Sequence, residues 1–365
     1  MTTYKNVVSA DSHISEPRNL WTERMPSKFK DRTPKVVRKQ DGDWFECDTL
    51  RPFPVALGIN AGKDFKDYKP TGMTYEDGRA GGWDPHARIK DQDVDGVEAE
   101  VLYPTLCMGM FALQDAEFQK ACFEAYNSWM ADYCKPYPTR LVGLSLVPLA
   151  DIDWTIKELK RNAQQGLKGA LIWGVAPDER PYSDPVYDPF WATAQELEMP
   201  LSLHIITGAK GGINFDFSKM LQIYTGLPAS IQSTISTLVF SGVLDRFPKL
   251  KFVSAENDIA WMPHLIARMD HAFERYGKMV NCQLKLKPSE YFKRQIYGTF
   301  MDDAVGVANR HYIGVDNIMW SSDYPHSDST WPHSQEVIAK DFAGVPEAEK
   351  RKILVDNAVR LYRLG

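Results

Sequence analysis

Residues 7–17, which read VVSADSHISEP, decide the fold class that this sequence predicts. The stretch begins with the adjacent apolar residues of a buried strand and then places Asp11, His13 and Glu16 directly after them. Residues two apart on a strand point to the same face, so one metal ion can bind both Asp11 and His13. Glu16 precedes Pro17 and is more typical of a loop carboxylate than of a metal ligand. A buried strand that ends in metal-binding residues is typical of a barrel whose active site lies at the strand ends.

The composition is that of a folded protein with a sizeable core. The chain has 365 residues, of which 44% are hydrophobic and 25% are charged. A formal net charge of −5 gives no basic surface for nucleic acid or anionic lipid, so we expect a small-molecule partner. The five cysteines form no CxxC pair, and no secretory leader or membrane-spanning apolar run is present, which predicts a cytoplasmic protein with reduced thiols.

Short apolar runs alternate with helical patterns along most of the chain, which is the signature of βαβ units around a parallel sheet. The candidate strands are 6–10, 97–103, 141–147, 169–174, 201–205, 250–256, 295–300 and 317–323. Eight such units predict a (β/α)8 TIM barrel, with residues 1–365 as a single domain.

Helical periodicity fills the intervals between these strands. Apolar residues recur at helical spacing from Ile152 to Ala163 and from Met262 to Phe273. Further helices are predicted at about 114–134, 185–198, 227–242 and 333–357. Asp151 and Asp184 are placed as N-caps of the helices that follow them.

Residues 18–83 do not follow the alternation. They are rich in Gly, Lys and Asp and indicate a long insertion after the first strand, on the side where barrels carry lids or interface arms. Residues 207–226 form a second irregular loop, after the fifth strand.

Polar side chains gather at the predicted strand ends, where a barrel of this kind assembles its active site. They follow strands one, five, six and eight and are Asp11, His13, His204, Glu256, Asp323 and His326. Imidazoles and carboxylates together suit Zn²⁺, Mn²⁺ or Fe²⁺, and a metal offsets charges that are costly to bury. The sequence therefore predicts a divalent metal site at the mouth of the barrel.

Each of these residues also has a structural interpretation. His204 taken alone would be a core histidine, Asp11 a turn cap, and Asp323 the first residue of an Asx turn.

Four residues near the same mouth are candidates for contact with a substrate. Tyr103 and Trp173 end strands two and four and would either line a pocket or cap the barrel. Arg180 and Lys210, in mouth loops, are candidates for binding a substrate carboxylate.

The chain resembles the amidohydrolase superfamily, in the branch of aminocarboxymuconate-semialdehyde decarboxylase and the related resorcylate and vanillate decarboxylases. The resemblance covers nearly the whole length and rests on the motifs ADSHISEP, HARIKDQDVDGVEAEVLYPT, LSLHI, FPKLKFVSAENDIAWMPHLIARMD, SSDYPHSDSTWP and NAVRLYRL. It implies a divalent metal held by Asp11, His13, His204 and Asp323. In hydrolytic members the strand-eight Asp takes a proton from metal-bound water, whereas in decarboxylating members the metal holds the substrate oxygens while CO2 leaves.

Two positions depart from the family pattern. The first ligand is His in the best-known hydrolases and Glu in some decarboxylases, and it is Asp11 here, which shifts the metal preference from zinc towards manganese or iron. The catalytic His of strand six in the decarboxylases is replaced by Glu256. With His326, the ligand set becomes larger than one catalytic ion needs and would suit two bridged metals.

Three functions are therefore weighed. The first is a metal-dependent hydrolase or decarboxylase of a small carboxylated or cyclic substrate, with catalytic roles for Asp323, Glu256 and His204. The second is a dinuclear oxygenase with iron or mixed metals, and the third is a non-catalytic partner subunit that uses the insertion as an interface. We expect a homodimer or a hetero-oligomer with a related subunit, and neither the substrate nor the number of metal ions follows from the sequence.

Overall fold

The first barrel strand continues further than its apolar residues suggest. The computed structural model describes residues 4–209 and 217–365, and strand β1 spans Val7–His13 with every residue buried. The sequence predicted a strand that ends at residue 10. Asp11 and His13 therefore belong to the strand itself. Both side chains are buried.

The predicted insertion, residues 18–83, carries its own small antiparallel sheet. Its elements are helix α1 (Leu20–Arg24) and strands β2 (Lys35–Lys39), β3 (Gly42–Glu46) and β4 (Phe53–Pro54), in the sheet order β2-β3-β4. Gly42 at the β2–β3 turn has φ of +106°, and a Cβ there would lie 2.5 Å from the Met73 carbonyl oxygen. The turn therefore requires glycine.

The remaining strands complete a parallel barrel. They are β5 (Val97–Tyr103), β6 (Leu141–Gly143), β7 (Ser145–Leu146), β8 (Ala170–Ile172), β9 (Leu201–His204), β10 (Phe252–Ala255), β11 (Ile296–Phe300) and β12 (Ile318–Trp320). Strands β6 and β7 are two halves of the third barrel strand, since Leu144 N–H donates to Leu102 O on one side and Ser145 N–H to Gly169 O on the other.

The first and last strands close the barrel through hydrogen bonds just beyond β12. Asp323 N–H donates to Asp11 O at 3.0 Å, and His13 N–H donates to Tyr324 O at 2.6 Å. The predicted eight-stranded barrel is confirmed.

Helices pack around this barrel. They are α2 (Pro85–Asp95), α3 (Ala116–Cys134), α4 (Ile152–Gln164), α5 (Asp188–Glu196), α6 (Met220–Gly226), α7 (Pro228–Phe240), α8 (Val243–Arg246), α9 (Met262–Tyr276), α10 (Pro288–Gln295), α11 (Ala304–Ala308), α12 (Arg310–Ile313), α13 (Ser334–Asp341), α14 (Glu347–Arg351) and α15 (Asn357–Tyr362). Asp151 caps α4 by accepting from Trp154 N–H at 3.1 Å, and Asp184 caps a short 3-10 helix before α5. Among the described residues, no helix has the length and apolar character that a membrane span requires.

The prediction of a single helix at 333–357 is wrong. Two helices, α13 and α14, occupy most of that range, and a π-helical turn, Lys352–Asp356, joins α14 to α15. Gly344 between them has φ of +77°, and Pro346 follows at the N-cap of α14. A left-handed glycine and a proline together end the first helix and start the next.

A buried ion pair holds the strand ends that carry the polar residues. Arg88 on α2 donates to the Glu100 carboxylate at 2.5 Å, and both side chains are almost inaccessible to solvent. The same guanidinium donates to His13 O at 2.7 Å and to Tyr324 O at 3.4 Å. Arg88 therefore ties the ends of the first and last strands together beneath the barrel mouth.

Candidate metal centre

The six residues predicted at the strand ends converge on one spot. His13 Nε2 lies 3.2 Å from Asp323 Oδ1, 3.4 Å from Glu256 Oε2 and 3.5 Å from Asp11 Oδ1. His204 Nε2 lies 3.1 Å from Glu256 Oε2 and 3.9 Å from Asp11 Oδ1. His326 Nδ1 lies 3.2 Å from Asp323 Oδ1. We call these six residues the carboxylate–imidazole cluster.

Backbone carbonyls orient the two inner imidazoles. His13 Nδ1 lies 2.6 Å from Pro104 O, and His204 Nδ1 lies 3.0 Å from Ile205 O. Because a carbonyl oxygen only accepts, Nδ1 carries the proton in each ring. In the neutral form each Nε2 then directs its lone pair at the carboxylates, which is how metal-binding histidines are held.

The atoms that face one another in the cluster are buried and lack hydrogen-bond partners. Within residues 4–209 and 217–365 this holds for Asp11 Oδ1, His13 Nε2, His204 Nε2, Glu256 Oε2 and both oxygens of Asp323. Buried polar groups are normally satisfied, so such a convergence needs an explanation. Ligands at ~2.1 Å around one divalent ion stand roughly 3 to 3.5 Å apart, which matches the closest separations here. The donor set therefore fits a divalent metal.

Two overlapping groups of ligand atoms are present in the described part of the chain. Asp11, His13 and His204 form an inner group, and His13, Glu256, Asp323 and His326 form an outer group, with all atoms of a group within 4.8 Å of one another. His13 Nε2 belongs to both groups but can bind only one ion. The cluster thus contains ligands for one ion with spare groups, or for two adjacent ions.

The electrostatics of the cluster favour positive charge at its centre. Burial raises the pKa of Asp11 to about 6. Burial also opposes a charge on His13, but the carboxylates of Asp323 and Glu256 outweigh it and raise the pKa of that imidazole well above its usual value. Burial acts to raise the pKa of Glu256, but the facing imidazoles of His13 and His204 prevail and lower it. A cation would satisfy the same field.

Two threonines that the sequence did not single out support the ligands. Thr299 Oγ1 donates to Asp11 Oδ2 at 2.9 Å, which leaves Asp11 Oδ1 for the cluster. Thr105 Oγ1 lies 2.8 Å from His326 Nε2. Both threonines sit at or just beyond the end of a barrel strand, the same signal that identified the ligands themselves.

The backbone is unusual at two of the carboxylates. Glu256 has φ of +55° and Asp323 has φ of +53°, both in the left-handed region. Non-glycine residues rarely adopt this conformation, and strain of this kind clusters at functional sites.

A cavity of about 990 Å³ opens onto the outer side of the cluster, where Glu256, Asp323 and His326 form part of its wall. Most of the other lining side chains are apolar and come from the insertion, from the segments that follow β5 and β9, and from the region around α6. They include Trp44, Phe45, Leu50, Phe53, Leu57, Phe65, Met108, Ile205, Ile206, Met220, Ile223 and Leu227. The cavity is large enough for an organic ligand and presents the cluster at one end.

Three of the four substrate-binding candidates, Tyr103, Trp173 and Arg180, are not among the described residues that line this cavity. Trp173 is buried and donates from Nε1 to Phe111 O at 3.3 Å. Arg180 is exposed outside the cavity, and Lys210 lies outside the described residues. The direction of a side chain at a strand end depends on neighbours that are distant in sequence. Position along the chain therefore does not predict whether the side chain faces the cavity.

Tyr103 lies beneath the cluster rather than in the cavity wall. Its ring packs 5.9 Å from the His13 ring and 5.2 Å from the His204 ring, and its hydroxyl lies 2.9 Å from Ser202 Oγ. Glu16 also lies outside the cluster, since its carboxylate accepts hydrogen bonds from the backbone N–H groups of residues 105–107. The sequence interpretation of Glu16 as a loop carboxylate agrees with this position.

Comparison with known proteins gives consistent matches. A family model described as amidohydrolase matches residues 47–364. The gamma-resorcylate decarboxylase of Polaromonas sp. (strain JS666) is 26% identical over 298 residues, covering 76% of this chain and 87% of that protein.

Two solved structures show the same fold. An amidohydrolase from Mycobacterium avium subsp. paratuberculosis superposes with a TM-score of 0.78 at 23% identity, covering 100% of this chain and 99% of that one. A dihydroxybenzoic acid decarboxylase from Polaromonas sp. JS666, with bound manganese and the inhibitor 2-nitroresorcinol, superposes with a TM-score of 0.67 at 20% identity, covering 99% and 98%.

Proposed function

Because the chain belongs to the amidohydrolase family, we propose that it is a metal-dependent enzyme that decarboxylates a small aromatic or cyclic carboxylic acid. The resemblance drawn from the sequence to this family and to its decarboxylase branch is confirmed. The observation that carries the proposal is the cluster of buried ligand atoms that face one another at the end of an apolar cavity. The cluster alone is compatible with both decarboxylation and hydrolysis. The relatives named as decarboxylases favour decarboxylation.

Asp11, His13, His204 and Asp323 would hold the metal. His13 Nε2 faces both Asp11 Oδ1 and Asp323 Oδ1. The other ring nitrogens of His13 and His204 are held by backbone carbonyls, and the other oxygen of Asp11 by Thr299. Asp11 adds a carboxylate to the set, which favours manganese or iron over zinc. When bound there, a divalent cation supplies Lewis-acid stabilisation of the substrate oxygens.

Asp323 is the proposed proton carrier. Its Oδ1 faces His13 and His326, whereas Oδ2 has no hydrogen-bond partner among the described residues, and Asp323 forms part of the cavity wall. In decarboxylation the bond to the carboxyl carbon breaks, CO2 leaves, and the electron pair stays on the ring carbon. A proton that Asp323 has taken up from solvent then completes the new C–H bond and leaves Asp323 as a carboxylate.

The apolar walls of the cavity assist the same reaction. A carboxylate loses its hydration when it enters a site lined by side chains such as Phe53, Leu57 and Ile223. Loss of CO2 removes that charge from the carboxyl group, so desolvation disfavours the starting state. Glu256, which is 16% exposed at the cavity, gives the reacting end its polarity.

Carbon dioxide release from hydroxybenzoates tests the proposal. The protein is stripped with a chelator, reloaded with Mn²⁺, and supplied with 2,6-dihydroxybenzoate and related mono- and dihydroxybenzoates. We expect CO2 release that requires the metal and is lost in Asp323→Asn. Turnover that survives complete removal of the metal, or no CO2 from any cyclic carboxylate, contradicts the proposal.

The overlapping ligand groups favour a second candidate, a dinuclear oxygenase. The inner group has two imidazoles and one carboxylate, the set typical of iron oxygenases, and Glu256, Asp323 and His326 remain for a second ion. This candidate predicts about two metal ions per chain with iron among them, and product oxygen that comes from O2. One ion per chain without O2 consumption eliminates it.

Assembly as a homodimer, or with a related subunit, stays a prediction. The insertion supplies a cavity wall through residues such as Phe65, which is 77% exposed, and such a side chain suits an interface. Native mass measurement of the purified chain tests this prediction.

A further inference from the structure

We infer that Thr105 is a positioning residue that fixes the orientation of His326, so that His326 Nδ1 serves as a metal ligand on the outer side of the cluster. The inference rests on the metal centre proposed above and adds to it a residue that acts on the metal through His326. Thr105 lies two residues beyond strand β5, at the base of the cavity wall.

The hydrogen bonds of the Thr105 hydroxyl determine which nitrogen of His326 carries the proton. Thr105 Oγ1 lies 2.6 Å from Ile14 O, and because a carbonyl oxygen cannot donate, the hydroxyl hydrogen points there. The oxygen can then only accept from His326 Nε2, which lies at 2.8 Å. Nε2 therefore holds a proton.

With that proton on Nε2, the neutral imidazole has its lone pair on Nδ1. Nδ1 faces Asp323 Oδ1 at 3.2 Å, so two lone pairs point towards the same space. A cation bound by both atoms relieves this repulsion. The His326 ring also stacks on the His13 ring at 3.9 Å between centroids, which restricts its plane.

Thr105 is itself held from two sides. The Glu16 carboxylate, which is fully buried, accepts hydrogen bonds from the N–H groups of Thr105, Leu106 and Cys107 at 2.9 to 3.1 Å. On the other side, a Cβ on Gly58 would lie 2.6 Å from Thr105 Cγ2. The methyl group is thus packed against the insertion, and the hydroxyl is directed at His326.

A matched pair of variants tests the role of the hydroxyl. Thr105→Val keeps the shape and removes the hydroxyl, whereas Thr105→Ser keeps the hydroxyl and removes the methyl group. Metal affinity is measured by Mn²⁺ titration of the metal-free protein, and ligand geometry by the visible spectrum of the Co²⁺ form. We expect Thr105→Val to weaken binding about 10- to 100-fold and to change the spectrum, and Thr105→Ser to restore both. If Thr105→Val does not fold, Thr105→Ala takes its place.

A double-mutant cycle separates positioning from a general packing effect. In His326→Ala, a positioning residue has nothing left to orient, so Thr105→Val should cause no further loss of Mn²⁺ affinity. An equal further loss in that background overturns the inference, and so does wild-type affinity in Thr105→Val alone. Failure of the wild-type protein to bind any divalent metal would instead overturn the proposed function.

Discussion

Two buried polar regions share the barrel strands, a hydroxyl layer called here the lower region and the carboxylate–imidazole cluster called here the upper region, and they differ in how their polar atoms are satisfied. The lower region is a layer of hydroxyl groups, in which Ser12 Oγ lies 2.8 Å from Ser9 Oγ and 3.0 Å from Ser322 Oγ. Tyr103 OH and Ser202 Oγ form a similar pair at 2.9 Å. The upper region is the carboxylate–imidazole cluster, whose facing atoms have no hydrogen-bond partners among the described residues.

The difference separates structure from function. Hydroxyl groups that hydrogen-bond to one another offset the free-energy cost of their burial. They also hold together the strands that carry them. Carboxylates and imidazoles that face one another without a proton or an ion between them lower the free energy of unfolding. Removal of one of these groups changes that free energy. The lower layer should therefore respond to mutation in stability, and the upper cluster in metal binding and activity.

Asp323→Asn should produce the largest effect. The change removes the proposed proton carrier and a metal ligand, so kcat/KM should fall about 10³- to 10⁴-fold. Asn tolerates the left-handed backbone at this position, and loss of one of the facing carboxylates should leave the metal-free protein at least as stable as the wild type. Steady-state kinetics and thermal unfolding check both outcomes, with Ser12→Ala as the control that keeps activity. Activity within tenfold of the wild type would refute the role of Asp323.

Arg88→Leu should cost about 3 to 5 kcal/mol of unfolding free energy, because it leaves the Glu100 carboxylate buried and unpaired. The change also removes the donor to His13 O and Tyr324 O. Urea denaturation measures the loss, and Glu100→Leu in the same chain should recover part of it. A loss below about 1 kcal/mol would show that the ion pair is not required for closure of the barrel.

Removal of the metal from the wild-type protein should lower its stability while the barrel stays folded. At a free metal concentration 100 times the dissociation constant, binding stabilises the native state by about 2.7 kcal/mol. Thermal unfolding with and without chelator measures this difference. The shift should shrink in His204→Ala, which lacks one inner ligand, and an identical shift in that variant would argue against the cluster as the binding site.

Ser202→Ala should have the smallest effect, about 1 kcal/mol of stability, because it removes one satisfied hydroxyl from the lower layer. Metal content per chain, measured by elemental analysis, should not change. A loss of metal in this variant would mean that the two regions are coupled through Tyr103, whose ring contacts His13 and His204.

The sequence predicted the barrel and all six residues of the cluster because both follow from position along parallel strands. Asp11, His204 and Asp323 each lie where a strand reaches the mouth, and a single rule places them together. The supporting hydroxyls did not follow from that rule alone. Thr299 and Asp11 are 288 positions apart, and Thr105 and His326 are 221 apart, so their pairing depends on barrel closure.

Two other features, the direction of the Trp173 side chain and the break between α13 and α14, were not predicted from the sequence. The direction of Trp173 is set by a hydrogen bond to Phe111 O, which no nearby residue indicates. The break between α13 and α14 was signalled by Gly344 and Pro346, but helical periodicity on both sides masked it. Periodicity reports the buried face of a helix and is insensitive to a short interruption in its axis.

The closure of the barrel between its first and last strands also sets the order of events during synthesis. Ser12 and Ser322 are 310 positions apart in sequence and lie within hydrogen-bond distance, and the ligands Asp11 and Asp323 adjoin them along the chain. A ribosome must therefore release the chain at least as far as His326 before the ligand set is complete. Metal binding by the complete ligand set must then follow synthesis of the eighth strand, since Asp323 and His326 come directly after it.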